Sequence, residues 1–103
     1  MMRVSWTPRA LRDLREIGAY IRRDSPEAAH RWVDHLLERG ERTADAPRAG
    51  RIVPEIERED IREVFLKSYR IVYQLRPDEI AILTVFEGHR LFLPLRIPPP
   101  EQD

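Results

Sequence analysis

Three apolar runs crowd the second half of the chain, Ile61 to Leu66, Arg70 to Leu75 and Ile80 to Phe86, and the links between them leave room only for turns. Lys67 and Ser68 mark the first turn, and Arg76-Pro77-Asp78-Glu79 the second, where proline and aspartate suit a β-turn. Parallel neighbours need a crossover of about a dozen residues or more, so these runs are predicted to be antiparallel neighbours in one sheet. The last run, Ile-Ala-Ile-Leu-Thr-Val-Phe, lacks clear alternation, which places it centrally with both faces covered. Leu91, Leu93, Leu95 and Ile97 then alternate, predicting extended chain before Pro98-Pro99-Pro100 and a flexible tail over 98–103.

The first half reads as helical. Val4 to Trp6 forms a short strand, and Thr7-Pro8 supplies a helix cap followed by a proline at the first helical position. From there Ala10, Leu14, Ile17 and Ile21 recur at helical spacing, while Arg9, Arg12, Asp13, Glu16 and Arg23 point elsewhere. Asp24-Ser25-Pro26 repeats the cap and starts a second helix, with Ala29, Val33, Leu36, Leu37 and Gly40 on its apolar face and Trp32 beside it. Neither stripe can be buried alone, so the helices pair as a hairpin and lie on the sheet. Between Ala46 and Glu59, Pro47, Gly50 and Pro54 break the chain into a loop with at most a short extended piece at Arg51 to Val53. The expected fold is α+β in the order β-α-α-β-β-β, an N-terminal helical hairpin on a small, mainly antiparallel sheet, as one domain over 1–97.

Composition narrows the chemistry. With 103 residues there is material for one hydrophobic core, and with no cysteine there are no disulfides or thiolate metal sites. No apolar run approaches membrane-spanning length and the N-terminus shows no signal-peptide core, so a cytoplasmic location without membrane contact is expected. The 18 basic and 18 acidic residues cancel, which removes a global positive field for nucleic acid. Their distribution is uneven: six arginines against two acids up to Arg23, then seven arginines against eleven acids from Asp24 to Glu63. Only Lys67 among the 18 basic residues is a lysine, leaving almost no ammonium groups for proton transfer.

Several polar residues are candidates for a site. His30 and His35 stand about 140° apart around a helix and are read as surface residues. His89 follows Glu87-Gly88 at the end of the central strand, where it is either a general acid or a turn residue. Arg62, Arg70 and Arg90 are placed to converge at one end of the sheet, which would suit a phosphate or carboxylate; the alternative is pairing with Glu55, Glu63 or Glu87, which makes them structural. Glu55, stiffened by Pro54, either anchors its loop or acts as a base. Tyr69, Tyr73, Trp6 and Trp32 are read as packing residues. No phosphate-binding glycine loop, dinucleotide fingerprint, zinc motif or serine elbow occurs, and no cofactor or metal is expected.

In its order of motifs the sequence resembles the RelE/ParE superfamily of toxins from type II toxin-antitoxin systems, often called plasmid stabilisation proteins. The resemblance runs through Trp6-Thr7-Pro8-Arg9-Ala10, Asp13-Leu14, Tyr20-Ile21, Asp24-Ser25-Pro26 with Ala28-Ala29, and Gly50-Arg51 with Val53-Pro54-Glu55. It continues in Ile61-Arg62-Glu63, Tyr69-Arg70-Ile71 with Tyr73, and Glu87-Gly88-His89-Arg90, so nearly the whole chain is covered.

That resemblance implies a cognate antitoxin and one of two activities. ParE-like members bind DNA gyrase and block it. RelE-like members cleave mRNA on the ribosome with basic residues on the sheet and a tyrosine. Arg70 and Arg90 match arginines that RelE-like enzymes use on phosphate, but Ile61 and Glu63 stand where lysines are expected, and no tyrosine follows Arg90. The resemblance therefore points first to a ParE-like gyrase inhibitor, with Arg62, Arg70, His89 and Arg90 as contacts to target or antitoxin and no catalytic residue of its own. The alternative is an mRNA endonuclease with Glu55 as base, Arg70 and Arg90 on phosphate and His89 as acid.

Overall fold

Both helices begin where a hydroxyl precedes a proline. In the computed structural model, which describes residues 2–89 and 97, Thr7 caps α1 (Pro8–Arg22) by accepting a hydrogen bond from the Ala10 amide at 3.1 Å. Ser25 does the same for α2 (Pro26–Glu41), accepting from the Ala28 amide at 3.2 Å. A 3₁₀ turn at Arg42–Asp45 ends the hairpin. The strands are β1 (Arg3–Trp6), β2 (Arg51–Ile52), β3 (Ile61–Leu66), β4 (Tyr69–Leu75) and β5 (Glu79–Glu87).

These form one five-stranded sheet in the order β1-β5-β4-β3-β2. The three long runs are antiparallel neighbours, as their short links require, and β1 joins parallel to β5. The short extended piece allowed at Arg51 to Val53 is present: Arg51 and Ile52 pair with Glu63 and Arg62, which adds a fifth strand to the expected β-α-α-β-β-β order. A two-residue strand is too short to leave a period-2 signature, and it is flanked by Gly50 and Pro54, residues that advertise a break. The segment 91–96, Arg90 and the tail 98–103 lie outside the described residues.

The sheet is covered on both faces, so the unpatterned run at β5 is explained. Leu14 of α1 and Leu36 of α2 pack against Ile71, Tyr73, Ile80, Ile82 and Val85 on one face. On the other, Ile61, Val72, Ala81 and Leu83 lie beneath Val53 of the loop, with Ile56, Phe86 and Ile97 against them. Trp32 packs on Tyr69 with ring centroids 5.6 Å apart, and Trp6 packs at the rim of the helical core. Tyr69 and Tyr73 are packing residues as expected.

A bulge in β5 sets where α1 sits. Thr84 pairs with Val72 but Ile82 pairs with Tyr73, leaving Leu83 as an extra residue. The start of α1 meets it: the N-cap Thr7 continues the β1–β5 ladder with its amide on the Ile82 carbonyl (3.0 Å), and its hydroxyl donates to the Leu83 carbonyl (3.1 Å). Nearly two turns on, Asp13 Oδ2 accepts from the Thr84 hydroxyl (2.5 Å) and the Val85 amide (3.1 Å). Among the described residues no helix is long and apolar enough to cross a membrane.

Candidate functional site

Alternation along β4 sends Tyr69, Ile71 and Tyr73 toward the helices and Arg70, Val72 and Gln74 to the opposite face. Arg70 is therefore buried on the loop-covered side, beside Phe86 of β5, whose ring centre lies 5.0 Å from its Cζ. Its Nε donates to Glu63 Oε1 at 2.6 Å, and its Nη1 and Nη2 donate to Glu55 Oε2 and Oε1 at 2.8 Å each. This is a two-pronged guanidinium–carboxylate pair plus a second carboxylate on the remaining edge. Glu63, only 1% exposed, uses its other oxygen to accept from Arg51 Nε at 2.6 Å. Arg51, Glu63, Arg70 and Glu55 thus form one chain of alternating charge.

The loop is shaped to deliver Glu55 to this point. Val53 is buried, Pro54 fixes the next backbone dihedral, and the amides of Ile56 and Glu57 both turn back to the Val53 carbonyl (3.1 and 2.9 Å). Glu57 closes the turn in the left-handed region at φ 57°. The Arg70 hydrogen bonds hold the Glu55 carboxyl down to a pKa of about 2, against a smaller opposing effect of burial. The same bonds raise Arg70 further above its ordinary range. A carboxylate with so low a pKa is a weak base at neutral pH, and a guanidinium forked onto two carboxylates is already charge-compensated. The arrangement ties the loop to the sheet. Of the two sequence readings of Glu55, the anchor is the one the geometry realises.

Arg62 does not join this group. It stands opposite Tyr73 in the ladder whereas Arg70 stands opposite Phe65, an odd offset of three residues that puts the two arginines on opposite faces, about 10 Å apart along the strand. The expected convergence of Arg62 with Arg70 is corrected by this register. Arg62 instead clamps the loop through backbone carbonyls, those of Glu59 (2.8 Å), Arg48 (3.2 Å) and Gly50 (3.1 Å), next to the Tyr73 hydroxyl bound to the Pro47 carbonyl at 2.7 Å. The His89 imidazole is 90% exposed, its Nε2 3.8 Å from Glu87 Oε1, while its amide donates to Glu87 Oε2 at 3.1 Å. Arg90 is outside the described residues. His30 and His35 are both exposed. No group of three metal-ligating side chains occurs among the described residues.

Glu63 is one of the acids named as a structural partner for the arginines, whereas Asp13 goes unread in the sequence. Glu63 lies at an inward position of an apolar strand, and a carboxylate there signals a buried cation partner. Asp13 was placed among the outward residues of its helix, and nothing in helical spacing reveals the β5 bulge that it caps.

Residues 4–92 match the family described as ParE toxin of type II toxin-antitoxin system, parDE. The chain belongs to that family. Every described residue of the Arg70 network falls inside the matched span. Among curated proteins, the chain is similar to Y4kP of Sinorhizobium fredii (strain NBRC 101917 / NGR234), 41% identical over 93 residues, which cover 85% of this chain and 90% of that protein. It is also similar to Toxin RelE3 of Caulobacter vibrioides, 31% identical over 85 residues, covering 82% and 92% respectively. Among solved structures it is similar to a chain of the chromosomal ParDE toxin-antitoxin system from P. aeruginosa, with a TM-score of 0.71 and 26% identity over 84% of this chain and 96% of that one. The two helices on a five-stranded mixed sheet are therefore the architecture of a ParE-family toxin of a type II system, a family that implies a cognate antitoxin.

Proposed function

We propose that this ParE-family toxin acts by binding a protein target, DNA gyrase, and that its antitoxin neutralises it by covering the toxin surface. The observation that carries this reading is the commitment of Arg70 to Glu55 and Glu63. Cleavage of RNA through its 2′-hydroxyl needs a base, a cation for the phosphorane and an acid for the leaving oxygen. Here the strand arginine is compensated, Glu55 has a pKa of about 2, and a buried glutamate occupies the place of an expected lysine. A binding mechanism asks none of these residues for proton transfer, and leaves the chemistry to the enzyme that is bound. His89, exposed at the sheet end, is then a contact residue for target or antitoxin.

The similarity to Toxin RelE3 favours a second reading, the ribosome-dependent mRNA endonuclease using Glu55, Arg70, His89 and Arg90. Parallel assays separate them. Purified protein is added to a gyrase supercoiling reaction and to a translating-ribosome reaction in which mRNA ends are mapped. Loss of supercoiling with intact mRNA is expected. Ribosome-dependent cuts that vanish in His89→Ala, with supercoiling untouched, would establish the second reading instead.

A further inference from the structure

We propose that Phe65, with Arg51 laid across its ring, is the anchor by which this toxin grips its protein target, a role that rests on the binding mode proposed above. The matching patch on the target pairs an apolar side chain with a carboxylate. Among the described residues the large apolar side chains left exposed are Leu11, Tyr20, Ile52 and Phe65. Phe65, 45% exposed, is the one on the loop-covered face of the sheet. It stands opposite Arg70 in the ladder of β3 with β4, and Phe86 stands opposite Arg70 in the ladder of β4 with β5, so the three share that face. Leu11 and Tyr20 belong to α1, and Ile52, next to Arg51, points to the helical side.

What sets Phe65 apart is a cation held in place from beneath. The Arg51 guanidinium lies over the ring with its Cζ 5.1 Å from the ring centre, and its Nε donates to Glu63 Oε2 at 2.6 Å. Glu63 is buried and is fixed in turn by Arg70. The Arg51 side chain is nonetheless 56% exposed, and its Nη1 and Nη2 carry no hydrogen bond among the described residues. The pair is therefore an ordered aromatic surface with two unused donors at its margin. Aromatic and arginine side chains are enriched where protein interfaces concentrate their energy, and side chains ordered in advance lose little freedom on binding.

The chemistry of the patch selects its partner. The ring takes an apolar side chain, and the two free Nη groups take a carboxylate beside it. Nucleic acid fits less well. The cations on this face, Arg51 and Arg70, are matched by Glu63 and Glu55, and the Glu55 side chain is itself 43% exposed. A chain of phosphates meets a neutral surface with a carboxylate in it, whereas a single carboxylate needs only the two oriented donors.

Equilibrium binding of the full chain to purified, immobilised DNA gyrase provides the test, with the thermal midpoint of every variant measured alongside. Phe65→Thr removes the ring but keeps a β-branched residue suited to a strand, and should weaken binding by about tenfold or more. Phe65→Tyr keeps the ring and should stay within about threefold of the unmodified chain. Arg51→Lys keeps a charge for Glu63 but loses the fork, and should weaken binding several-fold, with a smaller dependence on added salt. Leu11→Ser, an exposed apolar change on α1, should leave binding within about twofold. An unmodified chain that does not bind gyrase removes the proposed binding mode and this anchor with it. Binding by the unmodified chain that Phe65→Thr leaves intact, or that Leu11→Ser weakens equally, overturns the anchor alone. So does self-association of the chain abolished by Phe65→Thr, which assigns the patch to a second copy.

Discussion

At the scale of residues, Glu63 is the most exacting feature, because a carboxylate 1% exposed is tolerable only between Arg70 and Arg51. Arg70→Ala should therefore cost about 3–5 kcal/mol in chemical unfolding, since it leaves a buried charge with one partner. Arg70→Lys should recover part of that loss, as an ammonium supplies the charge but not the fork. Glu55 makes the network sensitive to acid. Its pKa falls from an ordinary 4.5 to about 2 on folding, so its contribution is complete above about pH 4.5 and disappears as the pH drops through about 2. Asp60 and Glu79 are shifted the same way, Asp60 because hydrogen bonds from Gln74 and Arg58 outweigh its burial. Unfolding midpoints measured from pH 6 to pH 2 should fall, and Glu55→Gln should flatten part of that slope while the other two carboxylates preserve the rest. A slope identical in Glu55→Gln would contradict the anchoring role. The sequence marked Arg70 as unusual because an arginine opens an apolar strand. Its partners, Glu55 and Glu63, stand among the three acids that the sequence offers for structural pairing, but pairing could not be chosen over a phosphate or carboxylate ligand, because Glu55 lies fifteen positions earlier on a loop.

At the scale of elements, α1 is held to β5 by side chains that complete a bulge. Thr7→Ala should cost about 1 kcal/mol for the lost cap, and more because the Leu83 carbonyl loses its donor. Asp13→Ala removes the acceptor for the Thr84 hydroxyl and Val85 amide, and should cost about 1–3 kcal/mol by thermal or urea unfolding. Gly40 tests the contact between α2 and β1: a Cβ there would sit 2.5 Å from the Trp6 ring, so Gly40→Ala should destabilise by about 1–3 kcal/mol despite its better helix propensity. Little or no loss in Asp13→Ala would mean that the bulge does not depend on α1. Both helix starts were legible from the hydroxyl–proline pairs, and the antiparallel order of β3, β4 and β5 from link length. The bulge was not, because a strand covered on both faces carries no alternation for an extra residue to interrupt. The extended piece at Arg51 to Val53 was legible from the breaks around it, but its pairing was not, because its two strand residues owe their place to β3 rather than to their own pattern.

At the scale of the whole molecule, the sheet separates two working environments. One face carries the helical hairpin and most of the hydrophobic core; the other is closed by the Val53 to Glu57 turn, the Arg70 network and Ile97. The face on which a ribonuclease would bind phosphate thus presents a neutralised arginine. Family membership and architecture were legible in the order of motifs, since these follow from elements that sequence patterning specifies well. The target was not, because fold alone does not choose between activities. The most direct measurement is equilibrium binding of the purified toxin to immobilised DNA gyrase, followed by supercoiling at the same concentrations. Saturable binding that tracks loss of supercoiling, and that persists in Arg70→Lys once that variant is shown to be folded, is the expected result. No detectable binding, together with ribosome-dependent cleavage of mRNA, would contradict it.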